Sequence, residues 1–139
     1  MIFMDIKMCR GEKMEDMIQE MLKKKVWAVL GSFAKEKYGY KIYKNLKKLG
    51  YTVYPINPRI NKVDEEVCYK DLESLPQIPE VVNLVTPPQA TEKIVEQCIR
   101  QGIKYIWMQP GAESDSAIKT AKEAGLNVLY NACVYKLTM

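Results

Sequence analysis

The chain has 139 residues, of which 47% are hydrophobic and 27% charged, and its formal net charge is +4. This composition is typical of one globular domain, and the apolar runs are far shorter than the roughly 20 residues that a membrane helix needs. The sequence contains no histidine, which excludes a Ser–His or Cys–His catalytic pair and any histidine metal ligand. The four cysteines are scattered without a CxxC pair, which argues against a disulfide framework and a zinc site.

Residues 1–13 are predicted to form a flexible leader, and residues 14–139 to form one domain. The leader lacks the long apolar core of a signal peptide, so we expect a cytoplasmic protein. From Met14, apolar residues recur at helical spacing, which predicts an N-terminal helix packed on the domain's own sheet. A Met-rich face also suits a partner protein or a second copy of the chain in a homodimer, and this alternative stays open. The face comprises Met14, Met17, Ile18, Met21 and Leu22.

The stretch after this helix predicts a strand, a loop, a helix and a second strand. The first strand covers residues 26–30 and meets Gly31 and a polar loop, and the second covers residues 51–56. Gly50 is the residue type that closes a helix in the left-handed conformation. Two parallel strands joined in this way form a βαβ unit. The helical face between them comprises Ile42, Tyr43, Leu46 and Leu49.

Further strands and helices alternate to the end of the chain. Strands are predicted over residues 67–69, 81–85, 105–108 and 127–130, and residues 131–139 as a tail. Thr86 is the predicted cap of a helix that buries Ile94, Val95, Cys98 and Ile99, and a later helix presents Ala117, Ala121 and Ala124. Strands that alternate with helices predict the α/β class: a three-layer, Rossmann-like, doubly wound parallel sheet in one domain with an N-terminal helix.

Four loops follow the strands of this sheet and meet at its carboxyl edge. Ligands of doubly wound sheets bind at that edge, where the strand order reverses. The first loop precedes a helix, whose N-terminal N–H groups and dipole attract anions, so we expect a phosphate there. The four loops cover residues 31–38, 57–59, 86–88 and 109–112.

The end of the second strand indicates which nucleotide the site takes. The dinucleotide motif GxGxxG is absent, and the strand ends in Asn57-Pro58-Arg59 rather than in the acidic residue that binds free ribose hydroxyls. A basic residue there favours a ribose phosphate. The candidates are coenzyme A (CoA), with its 3′-phosphate, and NADP, with its 2′-phosphate.

Five segments, in this order, resemble the stand-alone CoA-binding domain proteins, which are similar to the nucleotide domain of the succinyl-CoA synthetase α subunit. The resemblance runs from Leu22 to Cys133. It implies a Rossmann-type domain that binds CoA. The five segments are VWAVLGSFAKEKYGYKI, which begins at Val26, the strand ending in Asn57-Pro58-Arg59, the Cys68–Pro76 segment, Trp107–Gly111, and Cys133 after the last strand.

Carried over by position, the resemblance assigns contacts with CoA or an acyl-CoA in all four loops. The first loop would meet the phosphates, the second the ribose phosphate or adenine, the third the adenosine, and the fourth the pantetheine arm. It implies no catalytic residue and no metal ligand. The expected binding residues are Gly31, Ser32, Phe33, Lys37, Tyr38, Asn57, Pro58, Arg59, Thr86, Pro87, Pro88, Gln109, Pro110 and Gly111.

The sequence therefore favours a non-catalytic protein that binds a small CoA ligand, in a binding or regulatory role. An NADP-binding oxidoreductase is one alternative, because it would use the same basic loop. A redox-sensing module is another, in which Cys133 pairs with the CoA thiol. We expect neither a nucleic acid nor a membrane as partner, since no dense basic stripe with interleaved aromatic residues is present.

Overall fold

The computed structural model describes the backbone of residues 5–139 and the side chains of residues 14–139. The first four residues of the predicted leader therefore lie outside the described residues. Helix α1 spans Asp5–Lys23, so the helix begins nine residues before the predicted start at Met14. Its predicted face packs on the sheet as expected: Met21 is fully buried, and the neighbouring apolar side chains pack around the same cluster. None of the helices described is long and apolar enough to cross a membrane.

The core of the fold is a five-stranded parallel sheet, which confirms the predicted doubly wound class. Its order is β2-β1-β5-β6-β7, so the chain winds outward in one direction from β1 to β2 and then returns across β1 to the other side. The strands are β1 (Val26–Leu30), β2 (Thr52–Ile56), β5 (Val81–Leu84), β6 (Tyr105–Met108) and β7 (Asn127–Leu129); β3 (Lys62–Val63) and β4 (Glu66–Val67) form a separate hairpin.

Helices cover both faces of the sheet because successive strand residues point to opposite sides. One face packs against α1, α2 (Tyr38–Lys48) and α5 (Val134–Leu137), and its centre is Trp27 and Trp107. The other packs against α3 (Pro88–Gln101) and α4 (Asp115–Glu123) through Val95, Cys98 and small alanines. The strands are buried on both sides, which explains why they read as continuous apolar runs in the sequence.

The predicted strand over residues 67–69 is wrong. Glu66–Val67 instead pairs antiparallel with Lys62–Val63, and only Tyr69 reaches the main sheet, through a single parallel bridge to Ile56. The run of β-forming residues at Val67-Cys68-Tyr69 is therefore divided between a hairpin and a bridge. A three-residue run is too short for its composition to reveal that division.

Three other predicted details at helix ends differ from the structure. Helix α2 stops at Lys48, so Leu49 lies past the helical face and is 54% exposed, while Gly50 takes the left-handed conformation as predicted. Thr86 does not cap α3, because its hydroxyl bonds Thr91 Oγ1 at 2.7 Å instead. Ala124 is the exposed residue after α4 rather than part of its packed face.

The predicted C-terminal tail contains a short helix, α5, that seals one face of the sheet. Val134 is fully buried, and the indole nitrogen of Trp107 donates to the carbonyl oxygen of Ala132 at 2.9 Å. These contacts explain why an apparently loop-like segment is ordered: a buried indole N–H needs an acceptor, and the tail supplies it.

The β3–β4 hairpin is fixed to α2 by two clusters of charged and phenolic groups. Asp64 accepts from Tyr40 at 2.8 Å and pairs with Lys44 at 3.0 Å. Glu66 accepts from the Tyr43 hydroxyl and pairs with Lys47 at 2.6 Å. The hydrogen bonds from Lys47 and Tyr43 hold the pKa of the Glu66 carboxyl below its usual range. The loop that follows β2 leads into this hairpin, so these clusters anchor one end of the carboxyl edge.

We expect Glu66→Gln to lower the free energy of unfolding by roughly 0.5–1 kcal/mol at neutral pH, the usual size for a partly exposed pair. Because the folded-state pKa of Glu66 is below 4.5, its contribution is complete above that value and disappears as the pH falls through the folded-state pKa. Denaturant unfolding of both proteins between pH 7 and pH 3 measures the difference. Glu65→Gln is the matched control, and a difference that grows toward acid pH contradicts the assignment.

Candidate functional site

A crevice of about 720 Å³ opens at the carboxyl edge of the sheet, where the loops after β1, β2 and β5 meet α3. Its position is the point where the strand order reverses, the general ligand site of doubly wound sheets. Apolar side chains form its floor, among them Leu30, Ile56 and Ile94, and polar groups surround the opening. The polar groups belong to Ser32, Asn57, Arg59, Lys70, Asp71, Thr86 and Gln97.

Gly31, after β1, is required by the close approach of the loop after β5. A Cβ atom on Gly31 would lie 2.8 Å from the carbonyl oxygen of Val85 and 3.0 Å from its Cβ. The absence of a side chain at Gly31 therefore allows the loops after β1 and β5 to lie in close contact. Glycine serves here through close approach rather than through an unusual backbone angle.

The N-terminus of α2 opens directly after this loop with its N–H groups available. The residue that precedes the helix, Lys37, makes no side-chain cap, and the first turn contains no acidic residue. Gly39 is buried against Ser32, and a Cβ there would clash with the Ser32 carbonyl oxygen and lie 3.2 Å from its nitrogen. A helix N-terminus without an acidic first turn carries a partial positive charge, which favours an anion nearby.

Asn57 joins the loop after β1 to the loop after β2. Its Nδ2 donates to the Gly31 carbonyl oxygen at 2.8 Å, and its Oδ1 accepts from the Arg59 backbone N–H at 2.8 Å. Both ends of the amide are therefore used in the scaffold. Arg59 is exposed at the opening of the crevice, and its guanidinium has no carboxylate partner among the described residues.

Seven of the fourteen predicted binding residues line the crevice, and seven do not. Phe33 is buried against Tyr43 in the core, and Tyr38 stacks edge-on against Tyr135, with ring centroids 5.7 Å apart. Lys37, Pro88, Pro110 and Gly111 are exposed outside the crevice wall. The residues that line the crevice are Gly31, Ser32, Asn57, Pro58, Arg59, Thr86 and Pro87.

Gln109, the seventh residue outside the crevice, is 3% exposed and lies in a buried polar network. Its Nε2 donates to Asn83 Oδ1 at 2.6 Å, and its Oε1 accepts from the Val134 backbone N–H at 3.0 Å. The side chain thus ties β5 to the start of α5. Among the described residues, Asn83 Nδ2 is a buried donor without a protein partner.

Sequence reasoning missed the second half of the crevice wall. Lys70 and Asp71 come from the connection between β4 and β5, and Ala90, Ile94 and Gln97 from a half-buried face of α3. The helical spacing of Ala90, Ile94 and Gln97 was the available signal, because these positions lie on one face. Nothing in the sequence pattern alone places Lys70 beside Pro58.

The fold and the crevice together define a Rossmann-like ligand-binding domain. Residues 25–138 match the CoA binding domain family, and the chain therefore belongs to that family.

Individual relatives agree with this assignment. An uncharacterized protein, YneT, from Bacillus subtilis is 27% identical over 122 residues, which cover 84% of this chain and 88% of that protein. An ADP-forming acetate–CoA ligase from Methanocaldococcus jannaschii is 33% identical over 78 residues, 55% of this chain. The chain spans only 11% of that ligase, and 14% and 13% of two such ligases from Archaeoglobus fulgidus. A solved hypothetical protein from Pyrococcus horikoshii superposes with a TM-score of 0.80 at 35% identity, covering 88% of this chain and 87% of that one.

We expect Gly39→Ala to destabilise the protein, although a glycine-to-alanine change inside a helix usually stabilises it by about 1 kcal/mol. The new Cβ would meet the Ser32 backbone, and such overpacking costs roughly 1–3 kcal/mol. The melting temperature measures the effect. Ser116→Ala, at the same second position of α4 and exposed, is the matched control. An increase in melting temperature for Gly39→Ala contradicts the close approach.

Proposed function

We propose that this protein binds CoA or an acyl-CoA in the crevice at the carboxyl edge of its sheet. The observation that supports this most is that Arg59, which has no carboxylate partner among the described residues, lines the same crevice as Gly31 and Ser32, in the loop that leads to the N-terminus of α2. CoA carries a ribose 3′-phosphate and a pyrophosphate on either side of its ribose. Membership of the CoA binding domain family points to the same ligand.

In this proposal, the adenosine occupies the apolar part of the crevice beside Thr86, Pro87 and Ile94. Arg59 meets the 3′-phosphate, because a guanidinium binds phosphate with two parallel hydrogen bonds. The pyrophosphate faces Ser32 and the N-terminus of α2. The pantetheine arm continues from there along the carboxyl edge, where Pro110 and Gly111 are exposed.

We propose binding rather than catalysis as the role of the chain. Among the residues whose side chains the structure describes, Asp71 is the only carboxylate that lines the crevice, and its Oδ1 accepts from the Ser74 N–H and hydroxyl at 2.9 and 2.7 Å. Asp71 is therefore committed to starting the short 3₁₀ turn at Leu72–Ser74. The acetate–CoA ligases that the chain resembles are much longer proteins, of which the chain spans 11% and 14%, and their reaction is not carried over to this chain. A small CoA-binding protein can instead hold, deliver or sense the ligand.

Thermal unfolding with different ligands tests this function. A ligand that binds only the folded state stabilises it by about 2.7 kcal/mol at 100 times its Kd, so CoA should raise the melting temperature. Dephospho-CoA should raise it less, because it lacks the group that Arg59 meets. A shift with NADP and none with CoA contradicts the proposal and favours the oxidoreductase alternative.

Arg59→Gln should remove the preference for CoA over dephospho-CoA. We expect a loss of roughly tenfold in CoA affinity, the size of one charge-assisted hydrogen-bonding group, with little change for dephospho-CoA. Calorimetric titration of both ligands measures the two affinities. Arg100→Gln, at the exposed end of α3 away from the crevice, is the matched control. An equal loss for both ligands would contradict the contact with the 3′-phosphate.

A further inference from the structure

Lys70 is a cation at the crevice whose ammonium group is already fully occupied. Its Nζ donates to the carbonyl oxygens of Pro58 at 3.3 Å and Ile60 at 3.2 Å, and to Asn61 Oδ1 at 2.9 Å. An ammonium has three N–H donors, so these three acceptors use all of them. Lys70 therefore has no donor left for a ligand, although it lines the crevice.

The three acceptors all belong to the loop after β2, the loop that carries Arg59. Lys70 bonds this loop directly, although it lies twelve residues from Pro58 and nine from Asn61 along the chain. The same loop is held at its start by the Asn57 side chain and at its end by the Cys68 N–H, which donates to the Asn61 carbonyl oxygen at 2.9 Å. Between these two points, Lys70 is the group that draws the backbone carbonyls together.

We propose that Lys70 is a positioning residue, which holds the backbone from Pro58 to Asn61 so that Arg59 faces the phosphate end of the ligand. The inference rests on the proposed function and adds a residue to it. The effect of Lys70 on binding passes through Arg59, and the two residues are therefore expected to be coupled.

A purely structural role for Lys70 would change stability alone. A positioning role changes selectivity as well, because the loop that is released carries the arginine that distinguishes CoA from dephospho-CoA. Lys70→Met keeps the length and the apolar stem of the side chain and removes the three donors. Lys104→Met, an exposed lysine at the amino edge of the sheet, is the matched control.

Calorimetric titration with CoA and dephospho-CoA is the first measurement. We expect Lys70→Met to bring the ratio of the two affinities close to one, with a CoA loss of about tenfold. In the double variant with Arg59→Gln, the second change should have little further effect, because both act on the same contact. A ratio that stays at the wild-type value overturns the inference. Failure of the wild type to bind CoA overturns the proposed function and the phosphate part of this inference together.

Amide hydrogen exchange without any ligand is the second measurement. Lys70→Met should speed exchange at the N–H groups of Arg59 and Cys68, which bond Asn57 Oδ1 and the Asn61 carbonyl oxygen. The N–H of Gln109, which bonds Leu84 across the sheet, should keep its wild-type rate. Unchanged exchange at Arg59 and Cys68 overturns the holding role of Lys70, whatever affinity the wild type shows for CoA.

Discussion

The shape of the crevice depends on one side-chain amide, that of Asn57. It bonds the backbone of Gly31 on one side and the backbone of Arg59 on the other, and so joins the first two loops of the carboxyl edge. Gly31 adds a contact to Val85 that a side chain would prevent. Three loops are thereby joined, and the side chains of Ser32, Arg59 and Thr86 lie around an apolar floor.

This arrangement separates residues that build the site from residues that are free to meet a ligand. The side chains of Asn57 and Lys70 form hydrogen bonds within the protein, whereas the guanidinium of Arg59 has no carboxylate partner among the described residues. Holding the loops before the ligand arrives reduces the ordering cost of binding, which is the physical basis of preorganisation. The two charged clusters that link the β3–β4 hairpin to α2 also hold the hairpin in place after the loop that carries Arg59.

The sequence predicted the architecture well because burial on both faces of a parallel sheet leaves a clear pattern. Continuous apolar strands, an arginine after the second strand and glycine after α2 all reflect local constraints. The residues of the candidate site were harder to predict, because which side chains line the crevice depends on packing between segments that are far apart in the sequence. Gln109 follows a strand at the correct edge, yet its amide satisfies Asn83 and the Val134 N–H inside the protein. Lys70 lies in a segment without regular pattern, and only the fold brings it to the second loop.

Amide chemical shifts, followed by NMR as CoA is added, test directly whether a CoA ligand occupies the crevice between the first three loops and α3, because each loop gives separate signals. If it does, we expect the largest changes at Gly31, Ser32, Arg59 and Ala90, with small changes on the outer side of the β3–β4 hairpin. Changes concentrated on the hairpin, or none at millimolar CoA, would contradict it.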